Sequence, residues 1–127
     1  MKDFDGWNIK KKALDAGATR RFYHAREIWW CALGVNVGFE EEGTGNGYQR
    51  PVLILQGLSR ETCLAVPLTT SPNPHKYRVS VGLVGGRAAQ AMLSQMRVID
   101  TKRLINRIVV LDQATFETIR KSAIGIL

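Results

Sequence analysis

From Arg26 onward the apolar residues fall into short runs separated by turn-forming residues: EIWWCAL, PVLILQ, TCLAVPL, YRVSVGLV and AAQAMLS. Their length and punctuation suit strands better than helices. In YRVSVGLV, Tyr77, Val79, Val81 and Leu83 alternate with Arg78, Ser80 and Gly82, which predicts a strand with one face turned to a core. Strands at this spacing predict a small, strongly bent antiparallel sheet or barrel. The tail LDQATFETIRKSAIGIL changes period: Phe116, Ile119 and Ala123 share one helix face, and Asp112 is placed to cap its start. Near the other end, Phe4, Trp7, Ala13 and Leu14 among charges, with Gly17 as a stop, predict a short amphipathic helix over residues 2–16. The expected fold class is mainly β with α: a small antiparallel sheet with a C-terminal helix and an extra N-terminal helix. Residues 1–25 form the extension and 26–127 the main domain.

A chain of 127 residues with 45% hydrophobic content is long enough for one real core and short for two. Against 11 acidic residues stand 18 Lys and Arg, so the net charge of +7 calls for anionic partners: nucleic acid, an acidic protein segment or a membrane surface. The first residues lack the apolar core and cleavage site of a secretory signal, and no run nears the roughly 20 apolar residues that span a bilayer. A cytoplasmic protein without a membrane is expected. Cys31 and Cys63 lie inside apolar segments without metal-ligand spacing, as reduced core cysteines do.

Candidate chemistry starts at GYQRPVLIL. Pro51 pushes Arg50 toward an extended conformation at the mouth of a buried strand, where its guanidinium can face water, a carboxylate or a phosphate. Glycines in the preceding GFEEEGTGNGYQR do not form a phosphate-binding fingerprint, because no GK[ST] follows and the loop leads into a strand. Glu40, Glu41 and Glu42, consecutive on an extended loop, point in different directions and make a poor metal cage. Thr69, Thr70 and Ser71 follow a strand and precede a rigid Pro-Asn-Pro turn. Such hydroxyls usually bond to local backbone. If they converge with an arginine, they make a phosphate site, the guanidinium offering a fork and the hydroxyls further donors. His24 and His75 do not form a pair, and no GxSxG or HExxH pattern points to a hydrolase. In QMRVIDTKRLINR, basic residues surround Val98, Ile99, Leu104 and Ile105, either as a solvated face with an Arg97–Asp100 ion pair or as a phosphate-tracking surface.

Taken in order, EIWWCALGVNVGFE, RPVLIL, VPLTTS, LSQMRVIDTKRL and a final helix resemble the PemK/MazF toxins over Arg26 to Leu127. The resemblance implies an SH3-like barrel, a homodimer, and cleavage of single-stranded RNA without metal or other cofactor. It also implies an antitoxin whose acidic segment covers the RNA site. The family's catalytic arginine falls on Arg50 of RPV and its catalytic threonine on Thr69 of PLT, so the resemblance aims Arg50 at a scissile phosphate. The family's loop glutamate falls on Glu40 when the alignment is anchored on the left, with Glu41 and Glu42 as alternatives. Contacts to RNA are expected from Thr70, Ser71, His75, Lys76, Gln95 and Arg97.

On this reading the RNA's own 2′-hydroxyl attacks phosphorus, and charge builds on the phosphoryl oxygens where Arg50 and Thr69 act. Glu40 and His75 are the candidate bases. One branch of the family carries an arginine and an aspartate where this chain has Met92 and Ser94, so that acid–base arrangement is absent. Two rival readings are a member that binds nucleic acid without cutting it and a toxin that binds a host protein such as gyrase.

Overall fold

The computed structural model describes residues 22–33 and 49–126. The expected N-terminal helix and Glu40, Glu41 and Glu42 lie outside the described residues. Seven strands are described: β1 (Glu27–Ala32), β2 (Gln49–Gly57), β3 (Thr62–Thr69), β4 (Arg78–Val84), β5 (Arg87–Met92), β6 (Arg97–Asp100) and β7 (Leu104–Val110). Helix α1 (Gln113–Ile126) follows. All pairings are antiparallel, in the order β4-β5-β3-β2-β1-β7, with β6 added to β3. The sheet curls because β3 has two partners along one edge: β6 beside Thr62–Ala65 and β5 beside Leu68–Thr69. Among the described residues, no helix is long and apolar enough to cross a membrane.

The run PVLIL does not alternate because β2 is buried on both faces. Leu53 and Leu55 join Ile28, Val66 and Leu68 in one core, which Phe116, Ile119 and Ala123 of α1 also enter. Val52 and Ile54 point the other way, into a second core with Trp29, Cys31, Cys63, Ala65 and Ile99. Both cysteines are free and buried. Burial pushes each thiol up to about 12, so neither supplies a thiolate at neutral pH.

The alternation expected in YRVSVGLV holds as far as Val81 and then inverts. The β4–β5 register shifts between Ser80 and Gly82. One inserted residue exchanges the two faces of a strand, so Val84 enters the core and Leu83, expected inside, is 72% exposed. The predicted C-terminal helix stands: Asp112 Oδ2 accepts the Thr115 N–H at 2.9 Å, and the buried residues of α1 are Phe116, Ile119 and Ala123.

Two contacts fix the approach to β1. The Tyr23 hydroxyl donates to the Ser59 carbonyl at 2.6 Å, with the Thr62 carbonyl 3.0 Å away. It lies so close to Gly57 that a Cβ there would stand 2.9 Å from the hydroxyl oxygen. Glu27, almost fully buried, is the second anchor. Its carboxylate accepts from Trp29 Nε1 and the His24 backbone N–H, each at 2.9 Å, from Arg107 Nη1 at 3.2 Å, and meets His24 Nδ1 at 3.3 Å. Burial alone would raise the Glu27 pKa, but these donors together outweigh it and hold it below its usual value.

A depressed folded-state pKa gives stability that is complete above the unfolded value of 4.5 and is lost as pH falls through the folded one. Glu27→Gln is therefore expected to lower stability at pH 7 by about 1–3 kcal/mol. Urea unfolding across pH should show the gap to wild type closing below pH 4.5; a constant gap would uncouple the cluster from Glu27 ionisation.

Candidate active site

Arg50 stands at the start of β2, where Pro51 follows it and holds the strand end extended. Only 8% of Arg50 is exposed, and a guanidinium in that position needs fixed partners. Nη1 donates to the Leu68 carbonyl at 3.1 Å, which ties the side chain to the end of β3. The β2–β3 pairing runs as far as Val52 opposite Pro67, and just beyond it Arg50 and Thr69 line the same cleft, joined through the Leu68 carbonyl that Arg50 binds. The hairpin thus brings together an arginine and a threonine 19 positions apart in the chain.

Thr69 is buried, and its Oγ1 accepts the Ser71 N–H at 3.1 Å. With that lone pair occupied, the hydroxyl proton is left to donate elsewhere. Ser71 repeats the arrangement, its Oγ accepting the Asn73 N–H at 3.4 Å. Gln90 Nε2 donates to the Ser71 carbonyl at 3.5 Å, and Arg78 Nη1 to that of Asn73 at 3.0 Å. Strands β4 and β5 thereby hold the loop that leaves β3.

These groups open on a cleft of ≈ 540 Å³. Gln49, Arg50 and Pro51 form one wall, Leu68, Thr69, Thr70 and Ser71 another, and Trp30 with Ile108 the side toward β1 and β7. The β4–β5 hairpin closes it with Val84, Gly85, Arg87 and Ala89. Gly85 and Gly86 have φ of 59° and 83°, the left-handed pair that a two-residue type I′ turn demands. No aspartate or glutamate is among the described residues lining the cleft, so two guanidiniums and three hydroxyls set its character. It is suited to an anion with several oxygens.

Sequence reasoning missed Trp30 and Arg87. Trp30 sits in an apolar run that reads as core, and only the strand pairing shows that it lies beside Pro51 at the cleft. Arg87 follows two glycines that signal the turn, yet nothing local says what the turn faces. Of the expected RNA contacts, Thr70 and Ser71 line the cleft, whereas His75, Lys76, Gln95 and Arg97 do not. His75 Nδ1 accepts the Tyr77 N–H at 3.2 Å, and Lys76 Nζ lies 4.9 Å from the centre of the Tyr77 ring. Gln95 ends a short 3₁₀ turn, and Arg97 pairs with Ala65, four residues along β3 from Thr69. Asp100 accepts the Lys102 N–H at 2.8 Å and caps the next turn. Among the described residues, no group of three or more His, Cys, Asp or Glu is placed to hold a metal ion.

A buried arginine and a threonine hydroxyl at the rim of a curled antiparallel sheet define a small half-barrel protein with a cleft whose lining suits an anion. Residues 24–127 match the model of the family described as PemK-like, MazF-like toxin of type II toxin-antitoxin system, and the chain belongs to that family. No curated protein matches it in sequence. Among solved structures it is similar to MazF from Deinococcus radiodurans, at 16% identity and TM-score 0.65, over 84% of this chain and 96% of that one. The Mycobacterium tuberculosis toxin MazF-mt6 is similar at 20% identity and TM-score 0.61, over 80% of this chain and 94% of that one. A mycobacterial endoribonuclease in complex with its cognate antitoxin is similar at 17% identity and TM-score 0.59, over 84% and 98%. At these identities the likeness shows the shared fold.

The Thr69–Ser71 bond gives a test of the rim itself. Thr69→Val is expected to lower stability by about 1–3 kcal/mol, because the Ser71 amide loses its partner in a partly buried site. Thr69→Ser keeps the acceptor and should unfold in urea near the wild-type midpoint; a Thr69→Val midpoint no lower than that of Thr69→Ser would show that the bond does not stabilise the rim.

Proposed function

We propose that this chain is an endoribonuclease toxin of a type II toxin-antitoxin system that cuts single-stranded RNA at specific short sequences without a metal ion. The observation that carries the proposal is that buried Arg50, bonded to the Leu68 carbonyl, and buried Thr69 line one cleft with no carboxylate among its described lining residues. Family membership supports it, since toxins of this family are generally endoribonucleases.

In the proposed reaction the ribose 2′-hydroxyl attacks the adjacent phosphorus and the P–O5′ bond breaks. A 2′,3′-cyclic phosphate and a 5′-hydroxyl result. One proton leaves the 2′-oxygen, with Glu40 as its proposed acceptor, and solvent water supplies one to the departing 5′-oxygen. Arg50 and the Thr69 hydroxyl hold the phosphoryl oxygens, where charge accumulates most in the transition state. A guanidinium fixed before substrate arrives needs little reorganisation, which makes it worth more than a mobile surface cation. The substrate provides its own nucleophile, so DNA should bind and remain intact.

The partners belong to the same proposal. A chain of +7 attracts both RNA and an acidic antitoxin segment. The mycobacterial endoribonuclease of similar fold was solved with its antitoxin, which supports a cognate antitoxin here. We also assign the toxin to the cytoplasm as a homodimer.

The test is incubation with a long single-stranded RNA in EDTA, with primer extension to map the cuts. Wild type should give discrete ends, and Arg50→Ala should cut about 10²–10³-fold more slowly. Arg50→Lys should fall well short of wild type, because a point charge does not replace a bidentate fork. Undiminished cutting by Arg50→Ala would remove the proposed centre. Intact RNA with wild type, but binding that weakens steeply with salt, would indicate a member that binds without cutting.

A further inference from the structure

Trp30 is unusual among the residues of β1. Its neighbours Trp29 and Cys31 are buried, at 6% and 0% exposure, while Trp30 is 36% exposed and lines the cleft. It is held on a strand paired on both edges, opposite Pro51 of β2 and Asn106 of β7. An indole fixed in this way binds a flat ligand with little loss of conformational freedom. Its register partner Pro51 directly follows Arg50, so the indole stands one residue away from the proposed phosphate centre.

Arg87 reaches the same cleft from the other side. It is the first residue of β5 and closes the two-residue turn opposite Val84. Its backbone is therefore set by a tight hairpin. A Cβ built on Gly85 or Gly86 meets nothing within 4 Å, so the turn itself is uncrowded. Arg87 and Arg50 thus enter one cleft from different strands, with the indole as a further lining group.

We propose that Trp30 and Arg87 form a nucleotide subsite next to the Arg50–Thr69 centre: Trp30 stacks on a base and Arg87 binds the phosphate of a nucleotide adjoining the scissile one. This rests on the RNA-cleaving reading above. Single-stranded RNA offers what both groups need, unstacked bases with exposed π faces and a phosphate at each nucleotide. An acidic peptide would satisfy the two arginines and leave the indole without a matching face, so the observations favour RNA.

The probe is a random-sequence single-stranded 2′-O-methyl oligonucleotide, which lacks the attacking hydroxyl and reports binding alone. With the full chain, Trp30→Ala should weaken binding about tenfold, whereas Trp30→Phe, which keeps a stacking ring, should stay within about threefold. Tryptophan fluorescence quenching on binding should fall sharply in Trp30→Phe. Arg87→Ala should weaken binding and reduce the slope of log affinity against log salt by about one. Urea midpoints near that of wild type would show that the folds are intact.

Unchanged affinity and salt slope in both Trp30→Ala and Arg87→Ala would overturn the subsite. If cleavage is still lost in Arg50→Ala, that failure leaves the nuclease reading standing. Conversely, weakened binding in both variants of a protein that cuts no RNA would keep the subsite and sink the nuclease reading. Variants that lose affinity for an oligoglutamate peptide, but not for the oligonucleotide, would reassign the cleft to a protein segment and overturn the proposal.

Discussion

The site depends on what happens to β3 at Pro67. Up to Ala65 this strand pairs with β6, from Leu68 it pairs with β5, and the changeover spans Val66 and Pro67. Proline has no N–H to give a ladder and is normally confined to edges and irregularities of a sheet. Here it occupies the middle of a buried strand at the place where one edge has no paired partner, while β2 still aligns Val52 with it on the other side. The missing donor costs little at that position. In return the sheet can turn its corner there, carrying Leu68 and Thr69 toward β5 and presenting their strand end to Arg50.

That corner explains how a guanidinium can be nearly buried at a strand end without being a defect. An arginine stays protonated in a protein interior, so its charge must be met by acceptors rather than relieved by loss of a proton. The Leu68 carbonyl, exposed by the turn of β3, is one such acceptor. The same geometry sets Thr69 in the cleft beside the carbonyl that Arg50 binds, with its hydroxyl already accepting one backbone bond. Low local dielectric then strengthens whatever these donors do to an incoming anion. The overall charge of +7 acts at longer range and on encounter rate, while the rim acts on a defined set of oxygens.

Much of this was legible in the sequence where a residue's neighbours decide its role. The continuous run PVLIL announced a buried strand, and the spacing of Phe116, Ile119 and Ala123 announced the helix that covers one core. Arg50 and Thr69, singled out by ordered motifs, both line the cleft. Residues whose role depends on strand register were less accessible. Leu83 is outside because of a single inserted residue in β4, which no alternation rule detects beforehand. Trp30 reads as core until β1 is aligned with β2, and Arg87 reads as the end of a turn until the hairpin is seen to close the cleft. In the opposite direction, Gln95 and Arg97 belong to the same sequence block as other motif residues, but β6 places Arg97 beside Ala65, far along β3 from the rim.

This arrangement separates two tasks that a loop-built site would mix. The groups nearest the proposed chemistry come from the ends of β2 and β3, central strands of the sheet with cores on both faces. The groups placed to sense the rest of a substrate come from β1 and from the β4–β5 turn, and they reach the cleft without contributing to the Arg50–Leu68 bond. A change at Trp30 or Arg87 therefore alters the walls of the cleft while leaving its fixed donors where they are. A change at Pro67 does the reverse: it disturbs the corner itself, and with it the acceptor for Arg50 and the position of Thr69. On the proposed reading, substrate preference can drift by substitution at the walls, whereas the proposed chemistry is tied to a corner that the fold cannot give up.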